Sequence, residues 1–74
     1  MEKIKEKKRK KELTERELLI LKYICAGYSD KEISEFIDVS YNNLRRIIDV
    51  IYTKADVSNR VTLIAWGFRN NYLK

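Results

Sequence analysis

The sequence predicts an all-α fold, four helices preceded by a basic arm, on three observations. Proline is absent and glycine occurs only at Gly27 and Gly67, so the chain lacks the turn punctuation of a β-rich protein. Thr14, Ser29, Ser40 and Ser58 stand where helices would start, the first two with a glutamate three residues on. Between them apolar residues recur at spacings of three and four rather than two. The 74 residues suffice for one domain with a small core and leave little room for an enclosed active-site cleft.

The arm, residues 1–12, holds seven basic side chains (Lys3, Lys5, Lys7, Lys8, Arg9, Lys10, Lys11) against three acids (Glu2, Glu6, Glu12), which is +4 of the total +5. Such a biased, almost apolar-free stretch is expected to stay flexible, unfolded or marginally helical. The domain proper, residues 13–74, is nearly neutral.

The first helix is expected from about Glu15 to Ala26. Thr14 is its N-cap, Glu17 completes a capping box, and Leu13 and Leu18 can form a hydrophobic staple across it. Leu21, Ile24 and Cys25 follow, and Gly27 suits the left-handed conformation past a helix end. Ser29 and Glu32 repeat the capping box for a second helix, about Asp30 to Ile37, with Ile33, Phe36 and Ile37 toward the core. Asp38 and Val39 make a short turn. Ser40 then caps a third helix over about 41–54, with Leu44, Ile47, Ile48, Ile51 and Ala55 on one side. Its β-branched content favours a strand, but alternation of period two fails at Ile47-Ile48 and at Val50-Ile51, so the helical period outweighs propensity. Ser58 is the expected cap of a fourth helix from Asn59 to about Phe68, with Val61, Ile64, Ala65 and Phe68 as its inward stripe. Asn70 to Lys74 are expected to fray.

Several function classes are disfavoured. Cys25 is the sole cysteine and histidine is absent, which removes an intrachain disulfide, the usual zinc sites and the Cys-His and Ser-His catalytic pairs. With no phosphate-cradling glycine loop either, an enzyme is the least favoured class, and no cofactor or metal is expected. Cys25 falls on the apolar side of its helix, where burial would leave it inert. Apolar runs are short and interrupted by charge, so no membrane partner is expected, and a reducing, cytoplasmic setting fits best.

The third helix carries the chemistry. A turn of 100° per residue gathers Asn42, Arg45, Arg46 and Asp49 on one face, offset from Leu44, Ile48 and Ile51. Arginine makes bidentate hydrogen bonds to guanine or clamps phosphate, and asparagine does the same for adenine, so the face suits readout of double-stranded DNA. Asp49 would be repelled there unless it accepts from a cytosine amino group or orients Arg45 or Arg46. The plainer reading is that polar residues opposite an apolar stripe are merely the solvated side of a helix. The short turn before this helix, the arginine pair and the basic arm weigh against it. Lysine-rich ends also serve as solubilising tails, but this arm could contact phosphates or a minor groove.

Near the C-terminus, Trp66, Phe68 and Tyr72 supply more aromatic area than a small core needs, and with Leu63 they are assigned to a two-fold dimer interface. The alternative is that Trp66 closes the core. Leu18 and Leu19 could contact RNA polymerase or another regulator, or simply widen the apolar stripe of the first helix.

Leu13, Thr14, Arg16 and Glu17 reproduce L-T-x-R-E, and Gly27, Ser29, Asp30, Lys31, Glu32, Ile33 and Ser34 follow G-x-S-N/D-K-E-I-A. Val39, Ser40, Asn43, Leu44, Arg45 and Ile47 follow I-S-x-x-T-V-K-x-H, and Ile51, Lys54, Ala55, Asp56, Val57 and Arg60 follow I-x-x-K-L-G-V-x-x-R. In this order and without gaps, from Leu13 to about Trp66, the chain resembles the LuxR/GerE family of bacterial helix-turn-helix DNA-binding domains. The resemblance implies a four-helix domain whose third helix enters the major groove, with Arg45, Arg46 and Asp49 facing bases and Lys31, Asn42 and Asn43 near phosphates. It implies a transcription regulator that dimerises largely through its last helix. It also points to a short, stand-alone member rather than one with an attached receiver or signal-binding domain. The alternative keeps the helix-turn-helix scaffold as a protein-interaction module for another regulator or polymerase. Three positions depart from the pattern: Asn43 replaces threonine, Ile47 replaces histidine, and Asp56 stands where glycine is common. Asp56 is expected to keep the turn, since aspartate tolerates the left-handed conformation.

Overall fold

The computed structural model describes residues 12–74; the basic arm, apart from Glu12, lies outside the described residues. Four helices and no strand are present among them: α1 (Glu15–Cys25), α2 (Asp30–Phe36), α3 (Tyr41–Ala55) and α4 (Arg60–Arg69).

Each helix begins on a side-chain cap. The Thr14 N–H donates to Glu17 Oε1 (2.9 Å) while the Glu17 N–H donates to Thr14 Oγ1 (3.2 Å). Ser29 and Glu32 form the same reciprocal pair, and the Asn43 N–H donates to Ser40 Oγ. At α4 the cap is Asn59 rather than the expected Ser58. Asn59 Oδ1 accepts from both the N–H and the hydroxyl of Thr62 (2.9 and 3.1 Å), which is more than a serine hydroxyl at position 58 would gain.

All four helices also end alike. Gly27, Asp38, Asp56 and Asn71 adopt positive φ (97°, 58°, 58° and 67°). In each case the following N–H reaches back five residues: Tyr28 to Tyr23, Val39 to Ser34, Val57 to Tyr52 and Tyr72 to Gly67. This is the Schellman closure, which satisfies helix-end carbonyls and reverses the chain sharply. It explains how a proline-free chain with two glycines turns four times, and Asp56 keeps its turn as expected.

The core consists of Ile20, Leu21, Ile24, Ile33, Leu44, Ile48, Ile51, Ala55, Leu63 and Leu73. α1 packs against the other three helices, and α3 against α2 and α4. Three expectations fail here. Phe36 is 50% exposed, because a seven-residue helix has room for only one inward stripe, and Ile33 with Ser34 occupies it. Phe36 instead packs against Tyr23 at a tilt and Tyr28 edge-on, at centroid distances of 5.2 and 5.0 Å. On α4 the inward face is Leu63 and Gly67, leaving Val61 (76%) and Phe68 (44%) in solvent. A glycine is invisible to a count of apolar residues, yet Gly67 defines this face: a Cβ there would lie 3.2 Å from Leu21 Cδ2 and 2.7 Å from Leu73 Cδ1. Nor does the C-terminal segment fray. Leu73 is buried against Gly67, Tyr72 stacks on Trp66 at 5.3 Å, and the Leu13 N–H donates to the Tyr72 hydroxyl (3.4 Å).

Candidate nucleic-acid interface

The amphipathic division of α3 sets the geometry. Leu44, Ile48, Ile51 and Ala55 seal one side into the core, and Tyr41, Asn42, Asn43, Arg45, Arg46 and Asp49 are exposed on the other. Ile47 lies between, half-buried against the core, so the residue that replaces a polar one in the motif adds little free apolar surface. Lys31 is exposed on the first turn of α2.

Two ion pairs tie the helices together, one of them on α3 itself. Lys54 Nζ, on the last turn of α3, donates to Glu17 Oε1 on α1 (2.7 Å) and to the Glu12 carbonyl (3.2 Å). Burial pushes the Glu17 carboxyl up, but hydrogen bonds from Lys54 and Thr14 and the lysine charge outweigh it, leaving its pKa below the ordinary glutamate value. The second pair joins Arg60 of α4 to Asp30 of α2 at 2.6 Å, linking helices that do not pack closely on each other. These four residues belong to the motifs quoted above, and here they act as ties between helices. Their partners are 37 and 30 residues apart, so no local spacing could reveal them.

On the exposed face Arg45 turns toward the start of α3. Its Nη1 donates to the Tyr41 hydroxyl (3.3 Å), and its guanidinium carbon stands 6.0 Å from the Tyr41 ring centre. The hydrogen bond from Arg45 to Tyr41, the electrostatic influence of that side chain and, more weakly, Asp30 and Asp49 hold it even more firmly protonated than an ordinary arginine. Asp49, which could orient either arginine, forms no ion pair with Arg45 or Arg46 among the described residues, and Arg45 is engaged by Tyr41 one turn earlier. Tyr41 was missed in the sequence, although its position four residues before Arg45 puts both on one stripe.

The aromatic C-terminus divides in two. Leu63 is 0% exposed and belongs to the core, which corrects its assignment to an interface. Trp66 and Tyr72 are half-buried, packed on each other and on the core. Phe68 is exposed, and with Val61 it forms the free apolar side of α4. On α1, Leu19 is exposed, while Leu18 and Cys25 are half-buried. Among the described residues no group of three or more potential metal ligands occurs, and no helix is long and apolar enough to cross a membrane.

A family model described as GerE, bacterial regulatory proteins of the luxR family, matches residues 11–66. The chain is similar to the "Probable transcriptional regulator ycf29" of Porphyra purpurea, 33% identical over 61 residues, covering 82% of this chain and 29% of that protein. It is similar to the "Response regulator protein VraR" of Staphylococcus aureus, 31% identical over 62 residues, covering 84% of this chain and 30% of that protein. It thus spans less than a third of the length of these relatives. No solved structure matches.

Proposed function

Because this chain belongs to the luxR family of bacterial regulatory proteins, we propose that it regulates transcription by binding a specific DNA sequence as a homodimer, with α3 in the major groove of each half-site. The family is regulatory rather than enzymatic. The observation that carries the reading is the exposure of Asn42, Asn43, Arg45, Arg46 and Asp49 along the one side of α3 that the core leaves free. In this reading Arg45 and Arg46 contact bases or phosphates, Asn42 and Asn43 position the helix, and Lys31 holds a backbone phosphate. Asp49 accepts from a cytosine amino group. The arm adds sequence-blind contacts to phosphate or a neighbouring minor groove, in a cytoplasmic protein.

A gel-shift series tests the assignment. Arg45→Ala and Arg46→Ala are each expected to weaken binding to the selected site by about 1–3 kcal/mol. Unchanged affinity in both variants removes α3 from the recognition role.

Dimerisation is supported by the apolar side of α4 that the core does not use, Val61 and Phe68 flanked by the half-buried Ile64 and Ala65; in this reading the half-buried Trp66–Tyr72 pair widens the interface. A second reading rests on Leu19, exposed on α1. In it the scaffold binds RNA polymerase or another regulator through Leu18, Leu19 and the aromatic C-terminus, and DNA affinity comes from the arm alone. Removing residues 1–11 separates the two: the first reading keeps sequence-specific protection of DNA, and the second loses DNA affinity altogether.

A further inference from the structure

A solvent-exposed arginine must be ordered before it can read a base, and freezing so long a side chain costs conformational entropy. Arg45 is exposed, yet it already has a partner on α3. Its Nη1 donates to the Tyr41 hydroxyl at 3.3 Å, and its guanidinium lies 6.0 Å from the ring centre, the outer edge of a cation–π contact. Arg46, next to it, has no side-chain partner among the described residues. Tyr41 is 48% exposed on the first turn of α3, so burial does not account for its place. A phenol engages one of the five guanidinium N–H groups, which leaves enough donors for a bidentate contact to guanine.

We infer that Tyr41 is a positioning residue for recognition: resting on the reading of α3 as the base-reading helix, it holds Arg45 toward the N-terminal end of α3 and sharpens a guanine preference at one position of each half-site. Acting through Arg45, it forms with that residue a single energetic unit.

The test selects bound sequences from randomised duplexes with the full chain. It then measures Kd on the selected site and its single-base variants, at fixed salt, for Tyr41→Phe, Tyr41→Ala, Arg45→Ala and the Tyr41→Ala/Arg45→Ala double variant. Matching circular-dichroism melts establish that all are folded. Tyr41→Ala is expected to lower discrimination on the order of tenfold at the same base pair that Arg45→Ala affects. Tyr41→Phe loses part of it, and Tyr41→Ala adds nothing once Arg45 is gone. The proposal is overturned if Tyr41→Ala weakens all duplexes alike, which would mark a direct phosphate contact. It is also overturned if Tyr41→Ala leaves discrimination intact while Arg45→Ala abolishes it. If Arg45→Ala itself leaves discrimination intact, the base-reading role of Arg45 falls first, and this proposal with it.

Discussion

Asp56 ends α3 at φ 58°, a conformation that costs an L-residue about 1–2 kcal/mol, less for aspartate, and glycine almost nothing. Asp56→Gly is therefore expected to stabilise the domain by about 0.5 kcal/mol, the gain being reduced by the greater freedom of glycine in the unfolded chain. A chemical-denaturation midpoint that falls on this substitution would contradict the account. Glu17 offers a pH signature. Its folded pKa is depressed by Lys54 and Thr14, so its contribution is fully present above the unfolded value and disappears as pH falls through the folded one. Glu17→Gln should cost about 2 kcal/mol at pH 7, and its deficit should shrink as pH drops below about 4.3. A deficit that stays constant down to strongly acidic pH would show that the charge is not its source.

At the scale of elements, the starts of the helices were more legible than their inward faces. Thr14, Ser29 and Ser40 cap within three residues, so short-range chemistry specifies where α1, α2 and α3 begin. The inward face of α4 depends on which neighbour it meets, and α1 meets it at Gly67, where the absence of a side chain is the relevant feature. The same contact seats the C-terminal segment, which closes over Gly67 through Leu73 instead of fraying. Leu73→Ala is accordingly expected to lower stability by about 2–3 kcal/mol in thermal or urea unfolding. A loss below about 0.5 kcal/mol, the usual effect of an exposed position, would mean that the tail is not part of the core.

On the scale of the whole molecule, charge and shape are separated along the chain. Residues 13–74 carry +1 and the arm +4, so a neutral scaffold presents a local pair of arginines while a polycation is attached at Glu12. That point of attachment is close to the end of α3, where Lys54 Nζ donates to the Glu12 carbonyl. Pairing through the free side of α4 would set two α3 helices at a fixed spacing. Replacing Val61 and Phe68 by aspartate is expected to shift the protein from dimer to monomer in analytical ultracentrifugation without changing its fold, because both are exposed. A wild-type chain that sediments only as monomer at high micromolar concentration would exclude that arrangement. The sequence by itself determined the helical class, three of the four caps and the two faces of α3, because hydrogen bonds within one turn and a 3.6-residue period are local properties. It also carried the ordered motifs that identify the family. Only the tertiary structure decided that Leu63 is core and Phe68 is not, that Leu73 closes the domain, and that Glu17–Lys54 and Asp30–Arg60 hold the helices together. Those outcomes depend on contacts between residues that the chain separates widely, and no spacing in one dimension records which distant surfaces will meet.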